Sequence, residues 1–90
     1  MKNITSEVVP VLKKYGVKKA ALFGSYARGT ADEKSDIDIL IEPPEGMGMS
    51  IVRLKRDLED SLHKKVDLVS YNGISKYLKE YILANQIPLL

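Results

Sequence analysis

Two aspartates set two residues apart, Asp36 and Asp38, stand in the stretch Ser35-Asp36-Ile37-Asp38-Ile39-Leu40-Ile41-Glu42. On a β-strand successive side chains alternate between faces. This spacing therefore presents both carboxylates side by side and sends Ile37, Ile39 and Ile41 the other way. Like charges held that close repel unless a cation lies between them. A hard divalent ion with oxygen ligands suits the pair, Mg²⁺ above all, because it rarely needs a full protein cage. Taken alone, the pair also fits an exposed sheet face, although aspartate is disfavoured inside strands.

Two further features bear on that choice. Gly24-Ser25 follows the apolar block Ala20-Ala21-Leu22-Phe23 and opens a helical turn. Such a turn points free backbone N–H groups and a hydroxyl at an anion, and glycine lets a phosphate approach the backbone closely. By itself a Gly-Ser after a strand is commonly no more than a turn. Beside a carboxylate pair it completes a site for a metal-bound triphosphate, with donors for phosphate oxygens and acids for the ions. The third feature is Asp67, in Lys65-Val66-Asp67-Leu68-Val69, where Val66 and Leu68 take one face and Asp67 the other. If this strand neighbours that of Asp36, a third carboxylate joins the cluster. In two-metal transfer chemistry it could ligate one ion and accept the proton of an attacking hydroxyl. Without the other motifs Asp67 reads as a solvated strand residue.

The elements that must position these groups follow from periodicity. Ile4, Val8, Val9, Leu12 and Tyr15 recur at helical spacing, with Thr5 or Asn3 as a cap and Gly16 as the stop. Val17 to Phe23 reads as a buried strand, Tyr26 to Gly29 as a brief helical turn, and Thr30 to Lys34 as a polar turn. Ser35 to Glu42 carries the strongest strand pattern. Pro43-Pro44-Glu45-Gly46-Met47-Gly48 is rich in breakers and is expected to be the mobile loop. Ser50 is placed to cap a helix with an apolar stripe of Ile51, Leu54, Leu58 and Leu62. Val66 to Val69 forms a third strand. Ile74 to Ala84 forms a helix with Ile74, Tyr77, Leu78, Tyr81 and Ile82 on one side; Asn85 ends it, and Ile87 to Leu90 adds a terminal strand. There is no repeat and no low-complexity segment. The fold class expected is α+β, with a small, mostly mixed sheet flanked by helices.

Composition narrows the remaining options. A chain of 90 residues is read as a single domain over residues 1–90, marginally stable alone and helped by a partner subunit in a hetero-oligomer. Its 44% hydrophobic and 29% charged residues are ordinary for a globular protein. A net charge of +2, from 14 basic and 12 acidic residues, is too small to imply nucleic-acid or membrane binding. With no cysteine there are no disulfides or thiolate metal sites, and with His63 as the one histidine zinc is disfavoured. No run reads as a signal peptide or a spanning helix, so the expected location is cytoplasmic.

Phe23-Gly24-Ser25-Tyr26-Ala27-Arg28-Gly29, followed after ten residues from Ser25 by Asp36-Ile37-Asp38-Ile39-Leu40-Ile41, resembles the signature of the DNA polymerase β-like nucleotidyltransferase superfamily. More narrowly, the chain resembles the minimal nucleotidyltransferases of MNT or MntA type, often encoded beside HEPN-domain proteins, over nearly its whole length. The resemblance implies a nucleotide, with ATP as donor, bound with two Mg²⁺ ions at the positions matched by Asp36 and Asp38. It places the third family carboxylate on Asp67 and the triphosphate-binding turn on Gly24 and Ser25. Arg28 contacts phosphate or braces the loop. Similar proteins paired with HEPN toxins act as antitoxins, some by transferring AMP to a tyrosine of the toxin. The acceptor-binding domain of larger superfamily members is missing here.

The implied activity is therefore Mg²⁺-dependent transfer of a nucleoside monophosphate to a hydroxyl of a partner protein. Two alternatives stand beside it: an antitoxin that neutralises its partner by occlusion without catalysis, and transfer to a small molecule such as an aminoglycoside. Arg53, Lys55 and Arg56 are interleaved with Asp57, Glu59 and Asp60 and read as a solvated helix face. His63 reads as a polar helix-end residue. Tyr77 and Tyr81, one turn apart, read as core by default, or as a patch for another protein.

Overall fold

The computed structural model describes residues 4–32 and 34–90, apart from the side chains of Asn72 and Leu78. In chain order the elements are α1 (Ile4–Lys14), β1 (Ala20–Phe23), α2 (Gly24–Arg28), β2 (Ile37–Ile41), α3 (Ser50–Leu62), β3 (Val66–Ser70), α4 (Lys76–Ala84) and β4 (Ile87–Pro88), with a 3₁₀ turn over Tyr71–Gly73. The four strands form one mixed sheet in the order β3-β2-β1-β4. β1 pairs antiparallel with both β2 and β4, whereas β2 and β3 are parallel. The α+β architecture expected from the sequence is the one observed.

The alternation of β2 explains how the sheet is covered. Ile37, Ile39 and Ile41 are fully buried and join Val8 and Leu12 of α1 and Leu54 and Leu58 of α3 in one core. α1 and α3 therefore pack on the isoleucine face. Leu40 and Ala21 lie on the other face, yet both are buried and stand apart from that core. Topology accounts for this. β2 and β3 are joined through α3 and run parallel; β3 and β4 are also mutually parallel, because each is antiparallel to β1 directly or through β2. The two crossovers travel across the sheet in opposite directions. The right-handed rule for such units then sets α3 and α4 on opposite faces.

Several boundaries differ from the sequence reading, each for a physical reason. The first strand begins at Ala20 rather than Val17, because Gly16 and Val17 are spent closing α1 through the Gly16 and Val17 amides, which donate to Lys13 and Leu12 carbonyls. Thr5 lies inside α1 and so does not cap it; Asn3 lies outside the described residues. Ser50 is the first residue of α3, not its cap. The capping position is Met49, with no side-chain bond, and the Ser50 amide instead donates to the Met47 carbonyl. Met47 is buried in the core, so the breaker-rich loop is tied down at its middle. α4 begins at Lys76 rather than Ile74. Tyr77 is 93% and Tyr81 55% exposed, so neither belongs to the core. On the same helix Ile82 and Leu83 are half-buried; Leu78 lies outside the described side chains.

The acidic residues of α3 are more than a solvated face. Asp57 accepts a short hydrogen bond from Tyr15 Oη and lies 3.8 Å from Lys14 Nζ, joining α3 to the end of α1. Glu59 Oε2 accepts the Val66 N–H at 3.0 Å and so sets the start of β3. His63 closes α3 in the left-handed region, φ 54°, its amide donating to the Glu59 carbonyl.

Candidate active site

Asp38 occupies the middle of a row set by strand register. On one side Phe23 of β1 is its partner, so the chain turns into Gly24-Ser25 beside it. On the other side Asp67 of β3 is its partner in the parallel ladder. The condition posed by the sequence, that the Asp67 strand neighbour the Asp36 strand, is met in the fold. Asp36 precedes the first residue of β2 and is exposed; Asp38 is half-buried and Asp67 exposed.

The electrostatics follow from this crowding. Burial raises the Asp38 carboxyl above the usual carboxylate range, the negative charges of Asp67 and Asp36 raise it further, and so does a hydrogen bond with Asp67. Arg28, the last residue of α2, is near enough to pull it back down. Asp38 thus holds its proton more readily than a free carboxyl, with Asp67 as its hydrogen-bond partner. Among the described residues no three His, Cys, Asp or Glu side chains are gathered as a ready-made metal cage. Asp36 precedes the strand itself. The donor set still fits a hard divalent ion: carboxylate oxygens only, open to solvent, with coordination positions left for phosphate and water.

Gly24 has a role that sequence reasoning assigned only in part. Its φ is +71°, which L-residues rarely adopt, and a Cβ there would collide with Oδ2 of Asp38. The glycine therefore makes room for the chain's own carboxylate as well as for a ligand. Phe23 stands at the capping position of α2 with no side-chain hydrogen bond to that turn. At its other end, the Ser25 carbonyl accepts the Gly29 and Thr30 amides and Gly29 takes φ 75°. The short helix is closed behind Ser25 and open in front of it.

Sequence reasoning missed the turn that delivers Asp36. The Asp32 N–H donates to Ser35 Oγ at 2.9 Å, while Asp32 Oδ1 accepts the Lys34 N–H at 2.8 Å and the Ser35 hydroxyl at 3.2 Å. The signal was an Asp three residues before a Ser, a spacing at which side chains bond local backbone. A cavity of about 430 Å³ lies away from the carboxylates, lined by Tyr26, Ile37, Leu62 and His63 among others. Ile37 points to the face opposite Asp38, so this cavity is not part of the carboxylate site.

Known proteins resemble this chain over most of its length. The family model described as Polymerase beta, Nucleotidyltransferase matches residues 6–90. "Putative protein adenylyltransferase MJ0435" of Methanocaldococcus jannaschii is 47% identical over 89 residues, covering 98% of this chain and 96% of the relative. "Protein adenylyltransferase MntA" of Thermococcus cleftensis is 32% identical over 81 residues, covering 89% of this chain and 82% of the relative. A crystal structure of a toxin–antitoxin with AMP-PNP contains a chain with a TM-score of 0.81 and 26% identity, covering 96% of this chain and 72% of that one. With its Gly-Ser turn and its facing carboxylates on one sheet, this chain belongs to the polymerase β nucleotidyltransferase family.

Proposed function

We propose that this chain transfers AMP from ATP to a hydroxyl of a partner protein, as the antitoxin of a HEPN/MNT pair in the cytoplasm, and that residues 1–90 are one catalytic domain. The observation that carries the reading is the row of Gly24-Ser25, Asp38 and Asp67 across three adjoining strand ends. The names of the relatives support protein adenylylation, and the solved toxin–antitoxin with AMP-PNP supports an adenine nucleotide and a toxin partner.

In this mechanism Ser25 and the first amides of α2 hold the β and γ phosphates. Asp36 and Asp38 would hold the metals, with Asp67 as a further ligand, and Arg28 would contribute positive charge beside the phosphates. Two Mg²⁺ ions, when bound, neutralise charge on the departing pyrophosphate and make the acceptor hydroxyl more acidic. The acceptor oxygen bonds to the α-phosphorus as the bond to the bridging oxygen breaks. Pyrophosphate leaves, and the hydroxyl proton passes to Asp67. Asp67 suits this role because it is the exposed member of the pair.

The test is label transfer from ATP carrying a radioactive α-phosphate, with Mg²⁺, in lysate containing the products of neighbouring genes. The Asp36→Asn, Asp38→Asn double variant runs beside it. A labelled protein band that vanishes with the variant is the expected result. If no label transfers and the variant still binds and silences its partner, the protein acts by occlusion and the mechanism above is wrong.

A further inference from the structure

We infer that Asp32 and Ser35 are positioning residues for Asp36, forming a hydrogen-bonded bracket that fixes this carboxylate although it lies outside the sheet. The inference rests on the reading of Asp36 as a metal-holding residue. Asp38 and Asp67 are held by paired strands, but Asp36 precedes β2. On its C-terminal side the chain is pinned at once, because the Ile37 amide donates to the Lys65 carbonyl at 3.0 Å. On its N-terminal side nothing but a loop joins it to α2.

The bracket supplies the missing constraint. Asp32 and Ser35 bond reciprocally: Asp32 N–H to Ser35 Oγ at 2.9 Å, Ser35 hydroxyl to Asp32 Oδ1 at 3.2 Å, and Ser35 N–H to the Asp32 carbonyl at 3.1 Å. The Lys34 N–H adds a fourth bond to Asp32 Oδ1 at 2.8 Å. Four bonds thus close the turn, and they end at the residue immediately before Asp36. Asp32 Oδ1 has two donors, so this oxygen is committed to the turn. The bonds lie at exposed positions, where each adds little to global stability. Their effect is local: Asp36 is flanked on both sides by fixed backbone, as a ligand that must meet a demanding octahedral ion requires.

The test uses the full chain with AMP-PNP and reads Mn²⁺ binding from the electron paramagnetic resonance signal of the free ion. Asp32→Ala and Ser35→Ala should each weaken Mn²⁺ binding to the nucleotide complex about tenfold, the usual order for a partner that orients a metal ligand. The melting temperature of the metal-free chain should barely move. Asp32→Asn, which retains an oxygen acceptor, should restore most of the affinity. In an Asp36→Asn background Ser35→Ala should cost nothing further, because its effect passes through Asp36. Equal losses from Ser35→Ala with and without Asp36, or Asp32→Asn as poor as Asp32→Ala, would overturn the bracket. An Asp36→Asn variant that binds Mn²⁺ as tightly as the native chain would instead overturn the underlying assignment of Asp36.

Discussion

Replacing Asp38 with Asn should abolish nucleotidyl transfer and at the same time make the metal-free protein more stable. Asp38 is half-buried and faces Asp67 across one parallel ladder step. Adjacent strands lie about 4.8 Å apart, so the two charges stand at roughly 5 Å. Coulomb's law at that distance gives between about 0.8 and 3 kcal/mol of repulsion for effective dielectric constants between 80 and 20. Because the pair is open to solvent, the lower end applies, about 1 kcal/mol. For a domain of this size that corresponds to a rise in Tm of about 4–8 °C. The pH dependence fixes the sign. Burial and the neighbouring carboxylates raise the Asp38 carboxyl, so the folded state binds this proton more tightly than the unfolded chain. The stability this contributes is fully present below the unfolded carboxylate range near pH 4 and is lost as pH rises through the folded one. The gain in Asp38→Asn should therefore be largest at neutral pH and should close as pH falls towards 4. The assay is thermal unfolding in EDTA from pH 4 to pH 8, beside label transfer with Mg²⁺. A variant less stable than the native chain at pH 7, or a difference independent of pH, would refute the account of the site as crowded charge awaiting a cation.

Other outcomes follow from the same structure. Gly24→Ala should lose transfer and cost about 2 kcal/mol or more, since the left-handed backbone alone costs an alanine roughly 1–2 kcal/mol and Asp38 Oδ2 must move besides; urea unfolding checks it. Arg28→Gln should shift the acidic limb of the transfer rate to higher pH, because removing the positive charge lets the Asp38 carboxyl rise further; a pH–rate profile reads this directly. Leu58→Ala, at a fully buried core position, should cost about 2–5 kcal/mol and lower Tm by more than about 8 °C. Tyr77→Ser with Tyr81→Ser should leave Tm within a few degrees while weakening capture of the partner, as measured by co-purification.

The sequence made the chemistry more legible than the packing. Taken singly, Asp36, Asp38, Asp67 and Gly24-Ser25 each also read as solvated residues or an ordinary turn; their spacing taken together, and its resemblance to a family signature, is what singles them out. The β3 neighbour of β2 could be posed only as a condition, since strand adjacency is a long-range property that a local pattern does not encode. Tyr77 and Tyr81 show the opposite failure. Helical spacing correctly marks a stripe but not which stripe meets the sheet, and α4 turns its tyrosines outward. Leu40 sits on the carboxylate face and is buried all the same, which an alternating strand pattern with one solvated face does not predict. The bracket of Asp32 and Ser35 was hidden by its ordinariness: polar turn residues carry no mark of what they precede.

The parallel pairing of β2 with β3 also constrains how relatives of this chain can vary in length. One residue inserted or deleted between Ile37 and Ile41, or between Val66 and Ser70, reverses every later side chain of that strand. A residue inserted between Val66 and Asp67 would turn Asp67 towards the core and Leu68 away from it, so the site and the hydrophobic interior would be lost together. The segment outside the ladder, over residues 43–49, carries no such parity. Gaps among aligned relatives should gather there, in any number, odd or even. Within the two strands length should be fixed, while residue identity on the isoleucine face drifts among apolar types.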